Sequence, residues 1–254
     1  MRSRRVLWPL MCLLTAALLA ACSNPQLVRD QHQAAIYNTE LGIAYLQRGE
    51  LAVAKHKLDR ALKENPDDAN VHSARALLFE RMGESARADK EYRAALSLSP
   101  HNPDYQNDYA VYLCNVGRTA EGVRYFLEAA RNPLYLTPAA AYDNAGVCLR
   151  VAHQYVRAQQ MFEAALAVSP GFEQAAWQLA DLQYKQGHYK QARKLIKRFL
   201  TTNSETPDLL LLAVKVARAQ GDALDAQLYA RRLQLDFPDS AQAHALASLG
   251  HDPG

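Results

Sequence analysis

Along most of this chain apolar residues return every three or four positions, in runs of about a dozen residues broken by a glycine or a proline. That spacing belongs to amphipathic helices and not to strands. The breaks are themselves periodic. Displaced by 34 positions, the chain brings Gly49, Gly83, Gly117, Gly187 and Gly221 into register, with His153 taking the slot once. A second set of breaks, Pro66, Pro100, Pro170 and Pro238, stops the other helix of most pairs, because proline cannot continue a helix interior. The pattern predicts six helix-turn-helix units, at 35–68, 69–102, 103–138, 139–172, 173–206 and 207–240, with 241–254 as a short capping helix and tail. Unit starts are 34 residues apart except between the third and fourth, where the interval is 36.

A period of 34 is the length of a tetratricopeptide repeat, and the residues follow its alternation of small and large positions. The eighth position, where two helices cross, is Gly42, Ala76, Ala110, Gly146 and Ala180, with Val214 departing in the last unit. The twentieth, on the facing helix, is Ala54, Ala88, Gly122, Ala158, Ala192 and Ala226. Leu58, Tyr92, Phe126, Phe162 and Ile196 fill the space around them, and Ala230 is a weak copy. The expected fold is all-α, a right-handed superhelical solenoid of about 12 to 13 helices whose first helices line a concave face.

On such first helices positions 2, 5, 9, 12 and 13 point into the groove. They place Ile36, Ile43, Leu46 and Leu77 in an apolar strip in units one and two, and exposed apolar strips tend to bind partners. The alternative is that the segment before Ala35 folds back and covers them. In unit five Trp177 and Tyr184 take groove positions beside Asp181 and Lys185, either as anchors for a peptide or as packing between repeats. Lys215 and Arg218 make the far end basic.

The first 21 residues change the picture of charge and location. Arg2, Arg4 and Arg5 precede an apolar run from Val6 to Ala21, too short to span a membrane, and Leu19-Ala20-Ala21-Cys22 resembles the lipobox of bacterial lipoproteins. A lipoprotein signal peptide at 1–21, acylation of Cys22 and a polar tether over 22–34 are expected, with a plain secretory signal as the alternative. Ser23, where an inner-membrane retention signal has Asp, points to the outer membrane and its periplasmic side. The formal charge of +3 vanishes once those three arginines are removed, which gives no reason to expect nucleic acid as a partner.

Candidate chemistry is sparse. Cys12 lies in the signal, so Cys114 and Cys148 remain, at positions 12 and 10 of neighbouring first helices in an oxidising compartment. A disulfide between them and a pair of reduced core thiols are both open. Eight histidines are scattered without metal-ligand spacing, and no nucleophile elbow, phosphate loop or dinucleotide fingerprint is present. The reading is of a protein that binds proteins, with no enzyme activity, cofactor, metal or small-molecule substrate.

One run is more specific than the repeats. The third and fourth units contain N-D-Y-A-V-Y-L-C, G-R, F-L-E-A, N-P-L-Y-x-T-P and N-A-G-V-C, including Asn107, Tyr109, Cys114, Phe126, Asn132, Pro133, Pro138, Asn144, Gly146 and Cys148. With the lipobox and six repeats, this resembles the PilF/PilW family of type IV pilus biogenesis and stability lipoproteins. The resemblance implies a pilotin in the outer membrane that helps the secretin PilQ localise and multimerise, with Asn107 among its partner-binding positions. A lipoprotein scaffold for periplasmic cell-wall enzymes is the other function compatible with the residues. His153 in a glycine slot leaves the geometry of that turn unsettled.

Overall fold

The computed structural model describes residues 25–202 and 205–249, and among them every regular element is helical. The signal segment 1–21, Cys22 and the tail beyond Leu249 lie outside the described residues. The chain divides into two compact units, one up to Pro100 and one from His101. The first contains α1 (Pro25–Gln47), α2 (Leu51–Glu64), α3 (Ala69–Arg81) and α4 (Ser85–Leu98). The second contains α5 (Pro103–Asn115), α6 (Thr119–Arg131), α7 (Pro138–Val151), α8 (Tyr155–Val168) and α9 (Glu173–Lys185). It continues through α10 (Tyr189–Thr202), α11 (Pro207–Ala219), α12 (Ala223–Asp236) and α13 (Ala241–Leu249). The architecture is the all-α tetratricopeptide solenoid.

The stretch expected as a polar tether is different. Residues 25–34 are the opening turns of α1, and His32 Nδ1 lies 3.1 Å from the Asn65 side-chain nitrogen. A single helix running from Pro25 to Gln47 keeps residues 25–34 from folding back over Ile36 and Ile43. Helical geometry carries them away along the same axis.

Each helix pair closes on one small residue facing one large residue, sixteen positions apart. A methyl carbon added to Gly42 would lie 2.6 Å from Leu58, and one added to Gly146 would lie 2.5 Å from the Phe162 ring. Ala76, Ala110 and Ala180, all fully buried, stand against Tyr92, Phe126 and Ile196 in the same register. In the last pair the sizes exchange places. Val214 is fully buried and Ala230 packs against the same core, so here the first helix carries the larger residue and the second the smaller. The apparent departure at Val214 and the weak copy at Ala230 are one reciprocal feature.

Tight turns join the two helices of each pair. The glycine at each turn has φ between 72° and 81°, and the next amide reaches back to the carbonyl five residues earlier, as in Glu84 N to Phe79 O at 2.8 Å. His153 adopts φ 58° and makes the same bonds, with Gln154 N to Leu149 O at 2.8 Å. The substitution therefore preserves the turn and moves its cost into backbone strain. Asn102 and Thr206 accept amide hydrogen bonds at the starts of α5 and α11, satisfying donors that a helix end leaves open.

In the first unit a polar knot ties three helices. Arg75 of α3, nearly buried, pairs with Asp59 of α2, and its Nε is 3.1 Å from Glu91 of α4. His72 Nδ1 lies 2.6 Å from Glu91 while Nε2 lies 2.9 Å from the Pro66 carbonyl. Two acceptors on one ring favour the doubly protonated imidazolium, and the hydrogen bond to Glu91 raises the His72 pKa. Burial pushes the Glu91 carboxyl up, but His72 and Arg75 outweigh it and hold the group below its usual value.

Two measurements test these features. Gly187→Ala meets nothing within 4 Å, so urea unfolding should show only the backbone cost, about 1 kcal/mol. Gly146→Ala, which strikes Phe162, should lose about 1 to 3 kcal/mol. Because the folded His72 pKa is raised, its contribution is complete below about pH 6.5 and is lost as pH rises through the folded value. The melting temperature should fall over that range, and His72→Gln should flatten the slope.

Candidate functional site

The expected apolar strip of the first unit is partly at the surface. Ile36 and Ile43 are half-buried, and Leu77 on the neighbouring first helix is 38 % exposed. Leu46 must be removed from the strip. It is 3 % exposed and packs with Ala54, Leu58, Ala74 and Leu78 in the core of the unit. These neighbours on α2 and α3 close around it, so burial overrides the groove position that the repeat numbering assigns. Tyr37, 61 % exposed beside Ile36, adds apolar surface that the numbering passes over.

The second unit holds a more elaborate arrangement. Cys114 of α5 and Cys148 of α7 form a disulfide with Cα atoms 5.7 Å apart. Gly122 makes room for it, since a side-chain carbon there would meet Cys114 Sγ at 2.5 Å. The bridge pins two neighbouring first helices. Toward their N-termini, two turns along α5 and one along α7, Asn144 Nδ2 donates to Asn107 Oδ1 at 3.4 Å. Beside the bridge opens a cleft of about 540 Å³, lined by Val111, Asn144, Val147, Val151 and the disulfide itself. Val151 also belongs to a second cleft of about 400 Å³ with Arg150, Tyr155, Leu182, Lys185 and Gln186. The two clefts meet at Val151, and we refer to them together as the trough; it lies toward the C-terminal ends of α5, α7 and α9.

At the α9 end one carboxylate serves two cations. Asp181 Oδ2 lies 3.1 Å from Arg150 Nη1 and 2.7 Å from Lys185 Nζ. Trp177 and Tyr184 are half-buried and pack against the hydrophobic core of the unit, with the Tyr184 ring 5.7 Å from that of Tyr189. Both aromatics therefore brace neighbouring helices. Lys215 is half-buried and Arg218 exposed on α11.

Asp143 escaped the sequence reading. It is 5 % exposed on α7, and its Oδ1 accepts no hydrogen bond. Burial pushes its pKa up to about 6, against an attraction from Arg150. An unpartnered buried carboxylate is costly, and such costs gather where function demands them. Nothing in the local spelling of α7 marks Asp143, because only the packing of the adjoining helices desolvates it. The trough valines were legible. Val111 and Val147 hold position 9 and Val151 holds position 13, the same groove code applied above to the other units.

Comparison with known proteins bears on what this arrangement serves. Residues 39–103 and 149–203 each match a tetratricopeptide repeat family. The chain is 30 % identical over 230 residues to the type IV pilus assembly protein PilF of Pseudomonas aeruginosa, covering 90 % of this chain and 91 % of that protein. Among solved structures, Pseudomonas aeruginosa PilF aligns with TM-score 0.67 at 29 % identity, over 87 % of this chain and 99 % of its own. The type IV pilus biogenesis factor PilW gives TM-score 0.67 at 29 % identity, over 85 % and 99 %.

Asp143 offers a direct test. Its folded pKa is raised, so the penalty is absent below the unfolded value near 4 and complete above about 6. Asp143→Asn, close in shape and uncharged, should stabilise the chain at pH 8 by about 1 to 3 kcal/mol and leave it unchanged at pH 4. Paired denaturant titrations at the two pH values provide the measurement.

Proposed function

Since this chain belongs to the PilF/PilW family of tetratricopeptide-repeat proteins of type IV pilus biogenesis, we propose that it acts as a pilotin. In this reading it is an outer-membrane lipoprotein that holds a segment of the secretin PilQ while the multimer assembles. The observation that carries the reading is the surface of the first unit. There Ile36 and Ile43 of α1 and Leu77 of α3 present apolar area on two adjacent first helices. The family relationship supplies the pilus context, and the repeat scaffold supplies a means of binding without catalysis.

Acylation of Cys22 does the rest. Each buried acyl CH₂ adds roughly 0.8 kcal/mol of membrane affinity, and more than one chain makes the anchorage stable. A binding surface confined to a bilayer raises the local concentration of whatever it holds there. The mechanism is delivery and retention, with the protein itself chemically unchanged.

Deletion of the gene should abolish heat-resistant secretin multimers on an outer-membrane blot, and a Cys22→Ala version should leave multimers in the wrong membrane. Ile43→Asp combined with Leu77→Asp, in protein shown to accumulate at normal levels, should reduce multimers about tenfold or more. Intact multimers and normal twitching in the deletion strain would refute the pilotin role and favour a scaffold for cell-wall enzymes.

A further inference from the structure

The trough of the second unit is built from features that the packing of the repeats does not require. Its wall contains a disulfide, its rim contains two cations that share one carboxylate, and its edge contains Tyr155, held by a strained residue. His153 has the single positive φ of a non-glycine among the described residues. Glycine meets that conformation at lower cost in every other turn of this kind. What His153 adds is its ring. Nδ1 lies 2.7 Å from the Tyr155 hydroxyl, and the two rings meet edge to face at 5.8 Å. Strain kept at one site argues for a task there, and the task here is to fix an aromatic side chain over a cleft.

Shape and charge define the occupant. Neighbouring helix axes lie about 8 to 10 Å apart, so the path from α5 across α7 to α9 is about 20 Å, the reach of roughly six extended residues. The α5–α7 part is mainly apolar, with Val111 37 % and Val151 70 % exposed, and Asn115, Thr119 and Asn144 supply its polar margin. At the far end Arg150 and Lys185 contribute two positive charges against the single Asp181 carboxylate, and the Lys185 side chain is 64 % exposed. Asp143 lies two turns back along α7 and is buried below the surface. Because both clefts share Val151, the trough continues past the middle helix and suits a segment that passes through.

We propose that this trough binds an extended internal segment of a partner protein, apolar where it crosses Val111, Val147 and Val151 and carrying an Asp or Glu side chain where it reaches Arg150 and Lys185. His153 is a positioning residue for Tyr155 in that complex. The proposal concerns a surface separate from Ile36, Ile43 and Leu77, and it stands whichever protein supplies the segment.

The test uses the full chain in mild detergent and three fluorescein-labelled hexapeptides followed by anisotropy. The first is Val-Leu-Val-Tyr-Asp-Glu with an amidated end. The second replaces the acids by Asn-Gln, and the third is that neutral peptide with a free C-terminal carboxylate. The first should bind about tenfold or more tighter than the others, the size expected for charge-assisted hydrogen bonds. Lys185→Met should remove most of that preference, and Val151→Asp should abolish binding of all three. His153→Gly should raise the melting temperature, by removing the strained φ, yet weaken the first peptide about threefold to tenfold. A merely structural histidine would give the first effect without the second. Equal affinity for acidic and neutral peptides would overturn the proposal, as would no binding at millimolar peptide. Tight binding of the free-carboxylate peptide alone would overturn it in favour of a chain terminus, and loss of binding on Leu77→Asp would move the site to the first unit.

Discussion

Two helices can pack closely only where one of them gives up volume at the crossing. In this chain that concession is made by Gly42, Ala76, Ala110, Gly146 and Ala180, each opposed by a large side chain sixteen residues later. Close approach then buries the flanking alanines completely, as at Ala54, Ala88 and Ala158, and a buried interior at near-crystal density tolerates little change of shape. The last pair shows that either helix can carry the smaller residue. Val214 and Ala230 exchange sizes and the core closes over both. These crossings set how closely the two helices of each pair approach.

The turns are the second requirement, and they are conformational where the crossings are steric. Five glycines and one histidine hold a left-handed residue so that the chain can reverse after each first helix. The glycines have open space around them, so backbone freedom alone explains their presence. His153 is the informative exception. It makes the same backbone bonds as its glycine counterparts and differs in having a ring that reaches Tyr155. It fits the turn less well than glycine, and what it supplies in return is a contact to Tyr155, a residue of the cleft wall.

Polar groups inside the two units play opposite parts. In the first, Arg75, His72, Glu91 and Asp59 neutralise one another across three helices, and the pKa directions show mutual support. In the second, Asp143 is buried without a partner for Oδ1, and desolvation dominates. The contrast separates a knot that holds helices together from a buried group whose desolvation is left largely uncompensated. The disulfide between Cys114 and Cys148 joins α5 to α7 beside the trough, so the same two helices that carry Asn107, Asn144 and the valines are covalently tied.

Much of this was legible in the sequence because helical repeats are local. The interval of 34, the glycine slots and the small-to-large register specify helix ends and crossings through contacts between residues close along the chain, and family membership was readable in the run from Asn107 to Cys148. The trough valines follow from the same position code. Other features depended on several helices at once. Leu46 sits at a groove position yet belongs to the core, because residues of α2 and α3 close around it. Trp177 and Tyr184 became braces for the same reason. The start of α1 at Pro25 turns a polar stretch into helix, with His32 meeting Asn65 from the far end of α2. The burial of Asp143, the sharing of Asp181 by Arg150 and Lys185, and the grip of His153 on Tyr155 were likewise decided only in three dimensions. Periodicity states which residues share a face, whereas desolvation and charge depend on what the neighbouring faces bring to it.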